Sequence, residues 1–254
     1  MTHLPRKRFG QHFLHDGGVI AKIVAAIDPQ HDDAMAEIGP GLGALTVPLL
    51  EHVAHLHVIE VDRDLAAQLA AEHDRSRLSV HRDDVLRFDW AQLPERLRVV
   101  GNLPYNISTP LLFHLVRFAP RLRDLHFMLQ REVVERMVAA PSTPDYGRLS
   151  VMLQYGFDIT KLFIVKPGAF RPPPKVDSAL VRMLPRPAAA LRARDEQLLA
   201  RVVTAAFSKR RKTLRNALDG VVEEAALRAL GIDPRLRPEN LGFAQYIALA
   251  NAIA

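Results

Sequence analysis

Four consecutive residues, Asn102-Leu103-Pro104-Tyr105, place an amide, a proline and an aromatic ring one glycine after an apolar run, Leu97–Val100. That combination answers a specific chemical problem. An exocyclic amine on adenine is a poor nucleophile, because its lone pair is delocalised into the ring. The Asn102 side-chain oxygen and the Leu103 carbonyl can accept hydrogen bonds from the amine hydrogens. The nitrogen then becomes more tetrahedral, with its lone pair aimed at an electrophilic methyl group. Pro104 fixes φ and brings no competing N–H. Tyr105 offers a face on which a flipped base stacks. Catalysis of this kind rests on positioning and electrostatics and needs no strong base. The plainer alternative is a proline turn capped by Ser108 ahead of a helix.

A second group is spaced for a nucleoside. The segment Glu37-Ile-Gly-Pro-Gly-Leu-Gly-Ala-Leu-Thr46 follows an apolar run and opens a helical one. Gly39, Gly41 and Gly43 let the backbone turn tightly and approach a ligand. Glu60 comes 21 residues after Gly39, the spacing of a carboxylate that holds ribose hydroxyls. Three ligand states suit this loop. A dinucleotide fits less well, since Ala44 stands where the third glycine of that fingerprint falls. A cationic sulfonium fits the acidic surroundings of Glu37, Glu60, Asp62, Asp83 and Asp84. A sharp turn without ligand is the third. Asp84 either accepts a bond from an adenine amine or caps a following turn.

The elements that must carry these groups alternate. Short apolar runs at Ala34–Ile38, Leu56–Val61, Leu78–Val80, Leu97–Val100 and Leu125–Leu129 read as strands. Helical stretches lie between them, such as Leu65–Glu72 and Pro110–Phe118. This predicts an α/β fold, a Rossmann-like doubly wound sheet. Ile159–Val165 and Ser178–Leu184 read as an antiparallel pair at its far side. The loop between them, Lys166–Lys175, contains four prolines. There Phe170 either stacks on a base opposite Tyr105 or belongs to the core. Beyond Leu184 the pattern is purely helical, with expected helices at Leu198–Phe207, Lys212–Leu218, Glu223–Leu230 and Phe243–Ile253. We therefore expect a first domain over residues 1–184 with a basic N-terminal arm, and a small all-helical domain over 185–254.

Charge separates the same two regions. Residues 1–184 hold 22 Lys+Arg against 21 Asp+Glu, whereas residues 185–254 hold 12 against 7, a net of +5 within the whole chain's +6. A basic appendage on a near-neutral body suits a polyanion. Lys209-Arg210-Arg211-Lys212 reads as a basic helix start that contacts phosphates, with a solvated helix face as the alternative. There is no cysteine, and none of the eleven histidines pair at HxxxH or HExxH spacing. No metal, no membrane span and a cytoplasmic protein are expected.

Several of these segments together resemble one family, the small-subunit ribosomal RNA adenine-N6,N6-dimethyltransferases of the KsgA/RsmA type. The likeness is carried in order by Arg6–Leu14 (RKRFGQHFL), Glu37–Thr46, Val58–Asp64, Asn102–Ser108, Gln130–Val134 (QREVV), Phe170–Ala179 (FRPPPKVDSA) and Phe207–Leu214 (FSKRRKTL). It implies S-adenosylmethionine as cofactor. It implies two adjacent adenosines in the 3′-terminal hairpin loop of small-subunit rRNA as substrate, and action late in assembly of that subunit by a monomer. By motif position it puts His12 and Leu14 at the methionine end, Gly39 against the cofactor, Glu60 on the ribose, Asp84 on the adenine and Asn102 beside the methyl group. Family members often carry Asn where this chain has His12. The erythromycin-resistance enzymes, which act on large-subunit rRNA, share Asn-x-Pro-Tyr/Phe; the Pro172–Ser178 loop and the Phe207–Leu214 run favour the small-subunit type. A binding-only assembly factor would not require the intact Asn102, Pro104, Tyr105 and Glu60.

Overall fold

A computed structural model describes residues 11–187, 193–209 and 211–254. Arg6–Arg8, Phe9 and Arg210 lie outside the described residues. The chain divides into two compact units.

The first unit holds residues up to Val134 together with Ile159–Pro185. It contains a short strand β1 (Phe13–Leu14), then α1 (Gly17–Ile27), β2 (Met35–Ile38), α2 (Thr46–His52), β3 (Leu56–Ile59), α3 (Arg63–Glu72), β4 (Leu78–His81), β5 (Leu97–Asn102), α4 (Ser108–Val116) and β6 (Leu122–Gln130). After α5 (Arg131–Val138) and α6 (Arg148–Gly156) come β7 (Phe157–Val165), β8 (Phe170–Arg171) and β9 (Ser178–Pro185). The main sheet has the order β4-β3-β2-β5-β6-β9-β7. Neighbours from β4 to β6 are parallel, and β9 runs antiparallel to β6.

Sequence explains these elements locally. β2 is buried at every position and β5 at all but its last, as expected of strands covered on both faces. α1 turns Ile23, Val24 and Ile27 inward and is capped by Asp16, whose carboxylate accepts from the Val19 N–H at 3.0 Å. The chain order reverses between β2 and β5. Ligands bind open α/β sheets at such a switch point, beyond the carboxyl ends of the strands.

Glycine at 101 is a packing requirement. A Cβ there would lie 2.5 Å from the Ile38 carbonyl oxygen on β2. Away from the cleft end, β5 carries buried Arg98, whose guanidinium bonds Asp124 at 3.0 Å and Asp33 at 2.5 Å. A buried cation needs such partners, and nothing in the local sequence had marked it.

The second unit holds Glu135–Asp158 and residues from Arg186 onward. Its later helices are α7 (Glu196–Ser208), α8 (Leu214–Ala217), α9 (Glu224–Ala229) and α10 (Phe243–Ala252). The division expected between residues 184 and 185 therefore needs correction, because an internal stretch also joins the C-terminal helices. Tyr146 and Val151 pack in one core with Leu199, Val203, Leu214, Tyr246 and Leu249, and the Tyr146 hydroxyl donates to Leu241 O at 3.0 Å. In sequence, α6 resembles one more crossover helix of the sheet. The basic run differs from expectation as well. α7 ends at Ser208 and α8 begins only at Leu214. Arg211 adopts φ 66°, a left-handed value that interrupts helix. Lys209, Arg211 and Lys212 are exposed in the turn between the two helices.

Candidate active site

A cavity of about 230 Å³ opens at the switch point. His12, Leu14, Gly39, Gly41, Glu60, Asp84, Asn102, Leu103, Pro104 and Tyr105 all line it, together with Glu37 and Asp83. Elements scattered from the N-terminal arm to the end of β5 thus meet in one place.

The glycine loop forms the floor. Gly39, Gly41 and Gly43 have φ of 65°, 58° and 81°, values that side chains disfavour. A Cβ on Gly41 would also press to 3.0 Å from the Phe13 ring. Glu60 reaches back over this loop. One carboxylate oxygen accepts from the Gly41 N–H at 3.2 Å and the other from the Asp62 N–H at 2.8 Å. Burial pushes its pKa up, against the pull of those two N–H groups. Asp84 uses one oxygen to cap the Leu86 N–H at 3.0 Å. Its other oxygen has no role in that cap, so capping and ligand binding are compatible.

At the end of β5 the amide of Asn102 is held in one orientation. Its Nδ2 donates to the His12 carbonyl at 2.9 Å. A carbonyl only accepts, so the NH₂ end must face it, and Oδ1 is left as the free acceptor. The backbone of Leu103 is fixed by its N–H on Met128 O at 3.1 Å. Ser108 donates its hydroxyl to the Pro104 carbonyl at 2.9 Å, which closes the turn into α4. The Tyr105 hydroxyl shares a 2.8 Å hydrogen bond with Ser178, a fully buried residue at the start of β9. Its ring lies 5.6 Å from that of His12.

The arm is clipped to the proline loop. β1 pairs with β8, and His12 Nδ1 donates to the Pro172 carbonyl at 2.7 Å. Phe170 belongs to this clip. It is 2% exposed and packs in the core beside Leu14, Val165 and Ala169. The expectation that it stacks on a base is therefore corrected: its ring is buried and does not line the cleft. An aromatic beside prolines looks the same in sequence whichever way it points. Ser178 was missed for a related reason, since its partner lies 73 residues away.

The lining fits a cationic nucleoside. It contains Glu37, Glu60, Asp83 and Asp84, with no lysine or arginine among the described lining residues. A pyrophosphate would meet repulsion there, whereas a sulfonium is favoured. Among the described residues no group of three His, Asp or Glu is arranged to hold a metal ion. No described helix is long and apolar enough to cross a membrane.

Comparison with known proteins bears on the same region. The sequence model described as ribosomal RNA adenine dimethylase matches residues 2–254. The chain is 60% identical to ribosomal RNA small subunit methyltransferase A of Chromobacterium violaceum, over 98% of this chain and 95% of that one. Among solved structures it is similar to a dimethyladenosine transferase from Plasmodium falciparum, with a TM-score of 0.81, 26% identity and coverage of 94% and 96%. It is also similar to the 23S rRNA methyltransferase ErmE, with a TM-score of 0.71, 26% identity and coverage of 94% and 98%.

Proposed function

The chain belongs to the ribosomal RNA adenine dimethylase family, and from that premise we propose how its cleft performs the reaction and on which RNA. The protein is an S-adenosylmethionine-dependent methyltransferase that dimethylates N6 of adenine in small-subunit rRNA. The observation that carries the residue assignment is the Asn102 amide, pinned through Nδ2 to the His12 carbonyl with Oδ1 left free. Oδ1 and the Leu103 carbonyl accept the amine hydrogens, and Tyr105 stacks on the extruded ring. S-adenosylmethionine supplies an electrophilic methyl group on a sulfonium. The N6 lone pair would take the methyl group as the C–S bond breaks, that bond's electrons remaining on sulfur and the N6 proton passing to solvent. A second cycle gives the dimethylated amine. His12, Leu14, Gly39 and Gly41 hold the cofactor's methionine end and backbone-facing side. Glu60 takes the ribose and Asp84 the adenine.

The substrate is two adjacent adenosines in the 3′-terminal hairpin loop, where unstacking a base costs least. Lys209, Arg211 and Lys212, with Arg210, contact RNA phosphates. The enzyme acts as a monomer in the cytoplasm, on a small subunit late in its assembly. The test is transfer of tritiated methyl groups to small subunits from cells lacking the modification, to large subunits and to naked RNA, with the modified positions mapped. Label confined to two adjacent adenosines in the 3′-terminal hairpin loop of small-subunit rRNA is expected. Preferential labelling of large subunits would overturn the substrate assignment in favour of the kind of enzyme ErmE is.

A further inference from the structure

Glu37, at the wall of the cleft, takes no part in the chemistry given to Asn102 and Tyr105. It is 2% exposed, and its carboxylate accepts from the Thr46 hydroxyl at 2.6 Å. The flanking strands set Val58 and Val100 beside it in register, so neither brings a charge. Glu60 is the charged group that faces it; Asp83, Asp84, His12 and Tyr105 are the other titratable groups of the lining. Burial pushes the Glu37 pKa up to about 7, the nearby Glu60 adds to this, and the Thr46 bond opposes it. The carboxyl therefore exchanges its proton near neutrality.

Donor and product differ chiefly in one methyl group and one positive charge. We propose that Glu37 is the residue by which the cleft distinguishes the cationic methyl donor from its neutral demethylated product, giving up its proton when the donor binds and regaining it once the charge has gone. A cation in a poorly screened cavity favours the ionised form of a carboxyl in its wall. After transfer the adenine amine has lost one proton and Glu37 has gained one, so atoms and charge balance within the product complex. The ionised protein binds the donor better, so donor affinity rises with pH through about 7. The ratio of donor to product affinity should rise about tenfold between pH 6 and 8 by linkage.

The inference rests on the cleft being the cofactor site, and a protein that bound neither ligand would overturn both readings. The experiment is calorimetric titration with S-adenosylmethionine and S-adenosylhomocysteine, at several pH values and in buffers of different ionisation heat. Proton release on donor binding is expected to approach one below pH 7 and to fade above it, with none for the product at this group. The ligands' own α-amino groups titrate at about 8, so Glu37→Gln supplies the baseline. In that variant the pH-dependent difference should vanish, and the affinity ratio at pH 8 should fall roughly tenfold. Infrared difference spectra of the unaltered protein give a second readout: donor, not product, should remove a protonated-carboxyl band. Equal proton release for the two ligands, a difference that survives in Glu37→Gln, or a carboxyl band indifferent to the donor would each overturn the proposal.

Discussion

The cleft and the basic turn between α7 and α8 handle charge and polarity in opposite ways. In the cleft three polar groups have a fixed direction. The Asn102 amide is set by the arm, Tyr105 by a buried serine, and Glu60 by two backbone N–H groups. In the turn, Lys209, Arg211 and Lys212 are exposed, and the Lys209 ammonium has a backbone carbonyl, Asn216 O, as its partner at 3.1 Å. The roles proposed for them differ in the same way: moving a methyl group between two atoms demands aim, whereas holding a polyanion demands only the right sign of charge within reach.

The sharpest way to break this contrast is Asn102→Ala. If direction is what the cleft supplies, single-turnover methyl transfer should fall by roughly a hundredfold or more, the loss seen when a preorganised polar group is deleted. RNA affinity should hardly move, and near-normal turnover would end the positioning account. Glu60→Ala comes next. Removing a hydrogen bond to a charged group costs about 1.5–3 kcal/mol, so calorimetry should show S-adenosylmethionine and S-adenosylhomocysteine weakened alike. Tyr105→Phe keeps the stacking face and loses the bond to Ser178, at a cost of about 1 kcal/mol. Ser178→Ala should cost a similar amount. In turnover the double variant should then fall no further than either single one, and additive losses would show that the two residues act separately. The smallest effect belongs to the turn. Arg211→Gln combined with Lys212→Gln should lower the salt slope of subunit binding by about 0.7–0.9 for each phosphate no longer neutralised. Cofactor affinity should not change. An unaltered slope would make the turn a solvated surface.

What the sequence made legible follows the same division. That Asn102–Tyr105, the glycine loop and Glu60 share one cleft is readable because residue types at fixed local spacing mark strand ends that meet at the switch point. The inner strands β2 and β5 are readable because burial on both faces leaves mostly apolar runs. Pairings across long separations leave no such trace. Nothing local says that the His12 carbonyl will hold an amide 90 residues away, or that Phe170 will turn inward. Glu135–Asp158 has ordinary helical patterning, and its membership of the second unit is decided by where Tyr146 and Val151 find their core. The helix start expected at Lys209–Lys212 is a turn instead, because Arg211 takes a left-handed backbone dihedral, which composition does not encode.

Gly101 has a consequence in the propagation of error. The residue precedes the asparagine, and the space where its side chain would be is taken by the Ile38 carbonyl. Any added carbon must push β2 and β5 away from each other within a stiff sheet, and the next residue along the chain travels with the displaced strand. A shift of a few tenths of an ångström, harmless on most surfaces, reaches the amide to which we assign the aiming of the reaction. On that assignment, the accuracy of this enzyme is machined into the spacing of its scaffold, one residue before the group that uses it.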